Sequence, residues 1–155
     1  MYAHEVLRRD GLPAKMVAFS HCFRKEAGRG QHSAGLYRLH QFSKVEMFAL
    51  THGEVSESEL ALHQMVEIQK EVIEALGLPY RVLDMATEEL GAAAFRKYDI
   101  EAWMPSKGDY GEISSASNCT SYQSRRLNIT YLDEHNERKL VHTVNGTALA
   151  VPRII

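Results

Sequence analysis

Lys15-Met-Val-Ala-Phe-Ser-His-Cys22 and Leu36-Tyr-Arg-Leu-His-Gln-Phe-Ser-Lys-Val-Glu-Met-Phe48 are two apolar-rich runs separated by a polar stretch that holds Gly28, Gly30 and Gly35. Apolar and aromatic residues in alternation read as strands, and the glycines between them read as a flexible loop. The pair predicts a long hairpin with a wide loop over 27–35, entered through a turn at Leu12-Pro13.

The rest of the chain repeats the pattern. Strands are expected at 80–83, 99–104 (closed by Pro105), 110–117, 126–132 and 139–145, with turns at 106–109 and 133–137. Short turns between successive strands imply a mainly antiparallel sheet. One strong helix is expected over 56–76. Ser56 and Glu59 form a capping box, Leu62, Met65, Val66, Val72, Ile73 and Leu76 recur at helical period, and Gly77 and Pro79 stop it. A second helix is expected over 87–98, and a third from Thr147, with Pro152 tolerable only near its first turn. The fold class is α+β, an antiparallel sheet flanked by helices.

At 155 residues the chain suits one domain. A net charge of -2 excludes nucleic-acid binding by bulk charge and leaves a local basic patch open. The 2 cysteines, Cys22 and Cys119, make neither a disulfide framework nor a CxxC zinc pair. No apolar run approaches the roughly 18 residues of a membrane span. The first ten residues lack an apolar signal segment, and their acids argue against a transit peptide. The chain stops inside an apolar pattern at Val151-Pro-Arg-Ile-Ile155, so both ends are expected to be cut points in a larger protein.

Side chains alternate across a strand. One face of the second strand carries Arg38, His40, Phe42, Lys44 and Glu46; the other carries Tyr37, Leu39, Val45 and Met47 and reads as core. Two readings of the first face stand. It is a solvated face with one exposed aromatic, or a floor on which a flat ligand stacks on Phe42 while Arg38 holds an anion and Glu46 a cation.

Phe23-Arg-Lys-Glu-Ala-Gly28 followed by Gly35-Leu-Tyr-Arg-Leu-His-Gln-Phe-Ser-Lys-Val-Glu46 resembles motif 2 of class II aminoacyl-tRNA synthetases, and more narrowly of seryl-tRNA synthetases. Asp99-Ile-Glu-Ala-Trp103, Gly111-Glu-Ile-Ser-Ser-Ala-Ser-Asn-Cys119 and Gln123-Ser-Arg-Arg126 resemble that family's central strands. His142-Thr-Val-Asn-Gly-Thr-Ala-Leu-Ala-Val-Pro-Arg153 resembles its motif 3. The blocks run in order over nearly the whole chain. Residues 1–155 are thus expected to be one partial catalytic domain, with motif 2 at 17–48 and motif 3 at 141–155. Leu83-Asp-Met85 and Ile100-Glu-Ala-Trp-Met-Pro105 look most like the mitochondrial branch.

The resemblance implies activation of L-serine with ATP to seryl-adenylate, and transfer of the seryl group to tRNA(Ser). It implies Arg24 on the α-phosphate and the serine carboxylate, Glu26 on the adenine amino group, and Arg38 near the γ-phosphate. Phe42 would lie beneath adenine and Arg153 above it. Glu112 and Ser115 would hold the Mg2+ that bridges the phosphates, with Ser114 and Ser117 open as alternatives to Ser115. Glu46, Asn145 and Thr147 would line the serine pocket with Arg24. Arg29, Gln31 and His32 are candidates for tRNA contact. No membrane or DNA partner is implied; a homodimer is the family's full-length form. The helical arm that grips tRNA, motif 1 and the threonine-x-glutamate loop of the family are not found in this chain, and Ala34 stands where the family carries an arginine. The competing expectation is a truncated non-catalytic paralogue that binds nucleotide, RNA or a partner protein. A ligase that charges a carrier protein is disfavoured, because the cysteines offer no zinc site. His40 and His142 read as satisfied strand histidines, Trp103 as core.

Overall fold

A computed structural model of the chain describes residues 1–26 and 35–155. In chain order the elements are β1 (Val6–Leu7), β2 (Ala14–Phe23), β3 (Gln41–Thr51), α1 (Val55–Ala75), β4 (Tyr80–Asp84), β5 (Arg96–Met104), β6 (Asp109–Thr120), α2 (Tyr122–Leu127), β7 (Thr130–Leu132), β8 (Arg138–Leu140), β9 (His142–Ala150) and α3 (Val151–Ile154). The main sheet has six strands in the order β2-β3-β9-β6-β5-β4. Every pairing in it is antiparallel. A small three-stranded sheet, β1-β7-β8, sits beside it. The α+β expectation holds.

Helix α1 covers one face of the main sheet. Its stripe of Ala61, Leu62, Met65 and Val66 packs on Met47 and Ala49 of β3, Ala116 of β6 and Val144 of β9. Leu62 is fully buried, and burying such a side chain contributes about 1.5–3 kcal/mol. Further along, Ile73 joins Ile100 and Ala102 of β5 and Ile113 of β6. The helix ends as a Schellman motif: Gly77, at φ 68, donates to Glu74, and Leu78 donates back to Ile73 at 3.4 Å. A third apolar cluster, Leu12, Leu50, Ile129, Tyr131 and Val141, ties the small sheet to the large one.

Several local expectations are corrected. The capping box does not form: Glu54 is the N-cap of α1, without a side-chain bond, and Ser56 lies inside the helix. Glu59 is instead taken by Arg96 at 2.8 Å and Asn118 at 2.7 Å. Leu76 is 51% exposed, beyond the covered stripe. The second strand begins at Gln41 rather than 36 and runs to Thr51, because Gly35–Tyr37 forms a single 3-10 turn with Gly35 at φ 72. No helix forms over 87–98. A 3-10 turn at Thr87–Glu89 leads to β5, where Arg96 pairs with Asp84 and Tyr98 packs on the core; sheet pairing outweighs the propensity of the alanine run. The strand expected at 126–132 is split, because Asn128 takes a left-handed φ of 50 and closes α2 before β7 starts at Thr130. Val141 divides the strand expected at 139–145, and β9 carries Thr147 onward to Ala150. The third helix starts only at Val151, with Pro152 in its first turn. Trp103 is 40% exposed and stacks edge-on against Tyr110, so it is not core.

Candidate functional site

The face of the main sheet turned away from α1 carries the polar residues. On β3, Phe42, Lys44 and Glu46 alternate onto this side while Met47 enters the core behind. Lys44 Nζ lies 2.7 Å from Glu46, and the Thr147 hydroxyl donates to Glu46 Oε2 at 3.0 Å. Arg38 and His40 precede the strand, so the uninterrupted polar face expected from 38 to 46 begins at Phe42.

A register shift decides which residues of β6 join them. Ile100 pairs with Ser114, but Glu101 pairs with Glu112, so Ile113 is an extra residue on β6. Glu112 and Ser115 are three residues apart and strict alternation would separate them; the bulge turns both toward one side. Ser114 is buried behind the sheet, where its hydroxyl donates to the Thr147 carbonyl and accepts from Gln69 at 2.8 Å. Ser115 therefore stands on the same side as Glu112, while Ser114 reaches the cavity wall with its hydroxyl already engaged by Gln69 and Thr147. Ser117 shares the Ser115 face further along, paired with Asn145.

The rim comes from the chain around β3 and from α3. The Arg24 guanidinium lies 5.1 Å from the Phe42 ring centre. Its backbone is held by His40, whose carbonyl accepts from the Arg24 N–H at 2.8 Å and whose ring Nδ1 lies 3.1 Å from the Arg24 carbonyl. Glu26, at φ 44, pairs with Arg38 at 3.3 Å. Arg153 donates to the Glu112 carbonyl at 2.9 Å and approaches its carboxylate at 3.6 Å. Arg153 also lies 4.8 Å from the ring centre of Tyr37, while Arg24 is the cation over Phe42. Tyr37 donates to the Glu112 carbonyl at 2.9 Å, and burial pushes its phenol up, so it keeps its proton.

These side chains form a cavity of about 150 Å3 lined by Arg24, Phe42, Lys44, Glu46, Glu112, Ser115, Asn145, Thr147 and Arg153, with Ile113, Ser114 and Ala150 completing its wall. A smaller recess that shares Arg24, Phe42 and Arg153 with it adds Glu26, Tyr37 and Arg38. Larger cavities occur elsewhere. One of about 400 Å3 lies around His52 and His142, and an apolar groove of about 390 Å3 runs between α1 and β2–β3; neither gathers the predicted residues. Chemically, the site offers two guanidiniums for oxyanions, an aromatic face, and carboxylates for amino groups. Among the described residues no cluster of three or more His, Cys, Asp or Glu forms a self-sufficient metal centre. The pair Glu112 and Ser115 supplies hard oxygen donors, the kind that Mg2+ takes.

Arg29, Gln31 and His32 lie outside the described residues. Arg24, Phe42, Glu46, Glu112, Ser115, Asn145, Thr147 and Arg153 line the first cavity, while Glu26 and Arg38 line only the recess beside it. Sequence reasoning missed Tyr37, read as core, and placed Lys44 on the right face without giving it a role. It also missed Lys107, whose ammonium lies 4.0 Å from the Tyr37 ring centre, and Gln69. The signal for Gln69 was present: it is the polar residue inside an apolar stripe that skips from Val66 to Val72. His142 is a satisfied strand histidine, its Nδ1 3.1 Å from the Ser58 hydroxyl. Burial pushes the Cys119 thiol up, which disfavours the thiolate.

A family model, the tRNA synthetase class II core domain (G, H, P, S and T), matches residues 1–155. The chain is 54% identical over 151 residues to a serine–tRNA ligase of Rubrobacter xylanophilus, covering 96% of this chain and 35% of that one. It is 52% identical over 152 residues to the mitochondrial serine–tRNA ligase of Mus musculus, covering 98% and 29%. Among solved structures, seryl-tRNA synthetase from Pyrococcus horikoshii complexed with ATP superposes with a TM-score of 0.94 at 44% identity, over 99% of this chain and 34% of that one. Cytoplasmic serine–tRNA ligase from Naegleria fowleri in complex with AMP gives 0.89 at 35% identity, over 98% and 36%. The chain thus spans about a third of the length of the bacterial relatives it matches.

Proposed function

The chain belongs to the class II tRNA synthetase core-domain family, and we propose that it forms the ATP- and serine-binding core of a serine–tRNA ligase. The observation that carries the reading is the bulge at Ile113, which sets Glu112 and Ser115 beside Arg24, Phe42 and Arg153 in one cavity.

The proposed reaction is attack of the ionised serine carboxylate on the α-phosphorus of ATP, forming the mixed anhydride and releasing pyrophosphate. The attacking group is already an anion at neutral pH, so the protein's task is to align reactants and stabilise charge. Arg24 spans the carboxylate and the α-phosphate. Phe42 stacks under adenine, with Arg153 closing from the other side, and Glu26 accepts from the adenine amino group. Arg38 reaches the outer phosphates. Glu112 and Ser115 would hold Mg2+, which would supply neutralisation of charge on the phosphate oxygens. Glu46, already bonded to Thr147, meets the serine ammonium or hydroxyl, and Asn145 lines the same pocket. A hydroxyl satisfied by buried polar groups gives discrimination that alanine cannot match.

Transfer to tRNA(Ser) and homodimer formation complete the proposal for the whole protein, with Arg29, Gln31 and His32 near the acceptor end. The branch-like blocks at 83–85 and 100–105 favour a mitochondrial over a cytoplasmic setting, and bacterial relatives match at the same level. The test is exchange of label between pyrophosphate and ATP by the protein. Exchange that needs L-serine and Mg2+ and is not supported by L-alanine is expected; a folded protein without serine-dependent exchange overturns the reading.

A further inference from the structure

The ladder between β6 and β9 stops at the pair Ala116–Gly146. In a continued ladder Ser115 would face Thr147; instead the two strands part, and the candidate cavity opens on the front of this fork. The strands are in tight contact just before it: a Cβ placed on Gly146 would meet the Ala116 Cβ at 3.1 Å and the Ser115 carbonyl at 3.4 Å.

Behind the fork, one side chain of α1 spans the gap. Gln69 is fully buried. Its amide nitrogen donates to the Ser115 carbonyl of β6 at 2.9 Å and to the Thr147 carbonyl of β9 at 2.7 Å. The same nitrogen lies 2.8 Å from the Ser114 hydroxyl, which itself donates to the Thr147 carbonyl. Acceptors on both sides fix the amide orientation, since the oxygen would be repelled there. Gln69 Oε1 is left buried without a hydrogen-bond partner, a destabilising feature in a core otherwise packed with aliphatic groups. A leucine or methionine would fill the volume without that penalty, but would take the donor from the Ser115 carbonyl and leave the Thr147 carbonyl only the Ser114 hydroxyl.

We propose that Gln69 is a positioning residue that sets the width of the β6–β9 fork, and so the fit of the amino-acid substrate rather than of ATP. The inference rests on the serine–ATP reading for what the fork binds, but the clamp itself is independent of it. The two carbonyls that Gln69 holds belong to Ser115 and Thr147, whose own side chains line the cavity. The Thr147 hydroxyl in turn orients Glu46. Of the residues assigned to ATP and its Mg2+, only Ser115 is held by Gln69, through its carbonyl; Glu26, Arg38, Phe42, Glu112 and Arg153 make no bond to it, whereas the amino-acid end is held through Thr147 and Glu46. Loosening the clamp therefore acts on the amino-acid end.

The test uses Gln69→Met and Gln69→Glu in the protein, with two readouts. Steady-state activation is expected to show KM for serine raised roughly tenfold, with KM for ATP changed less than about twofold. Hydrogen exchange, followed by mass spectrometry without ligand, is expected to quicken at 113–117 and 143–149 and not at β2. Should either variant lose its cooperative melt, Ser114→Ala removes one bond of the clamp and carries the same test with a smaller shift. Unchanged exchange at the fork, or equal shifts in both KM values, overturns the proposal. Wild-type protein without serine-dependent turnover sinks the functional reading alone, and the exchange result then decides the clamp by itself.

Discussion

The two faces of the main sheet are built from the same strands and obey different rules. Behind it, α1 presses Leu62, Met65 and Val66 onto Met47, Ala116 and Val144, and the buried polar groups Ser58 and Asn118 are bonded to one another. In front, charged groups face each other across partly exposed space: Lys44 with Glu46, Arg38 with Glu26, Arg153 with Glu112. Exposed pairs of this kind contribute about 0–1 kcal/mol each. The rear face therefore supplies stability, and the front face is arranged for something other than stability. A bulge lets one strand serve both, sending Ser114 backward and Glu112 and Ser115 forward.

That division can be broken by mutation. Leu62→Ala opens a cavity in the rear core and is expected to cost about 2–5 kcal/mol in chemical denaturation. Ligand affinity of the remaining folded fraction should be unchanged; a selective loss of affinity would mean the faces are not separable. Arg24→Ala is expected to do the reverse. Binding of an adenylate analogue should fall at least about 100-fold, as for loss of a charge-assisted clamp on a phosphate, while the melting midpoint stays put. A large drop in the midpoint would make Arg24 a structural residue.

The smallest effect concerns pH. Burial holds the His142 imidazole below its ordinary value, with Glu54 opposing. The unfolded chain then binds more protons than the folded one between the lowered value and about 6.5. Stability should be full above that window and fall as the solution is acidified through it. His142→Gln should flatten this part of the stability profile, read from denaturation midpoints at several pH values. A profile identical to wild type would show that His142 titrates alike in both states.

Much of this was legible in the sequence, and unevenly so. Alternation in 15–22 and 36–48 carried the hairpin, and with it the antiparallel sheet; register is specified by the buried Met47 face of β3, whereas β2 lies at the sheet edge with Val17 and Phe19 exposed. The run 87–98 misled because an alanine run has helical propensity whatever its partner, and only the pairing of Arg96 with Asp84 and Glu59 decides for a strand. Of the site, Arg24, Phe42 and Glu46 could be read from one motif. The choice of Ser115 over Ser114 could not, since it depends on a one-residue register shift against β5 that leaves no local mark. Tyr37 was lost to the front because a single glycine at positive φ turns the chain before the strand begins.

The central claim is that this chain assembles a serine-specific adenylate site. Calorimetric titration with a non-hydrolysable seryl-adenylate analogue, with the alanyl analogue as control, addresses it most directly. The account predicts saturable binding of the seryl analogue, at least about tenfold weaker binding of the alanyl one, and loss of both in Arg24→Ala. Equal affinity for the two analogues, or none for either in a folded chain, would contradict it.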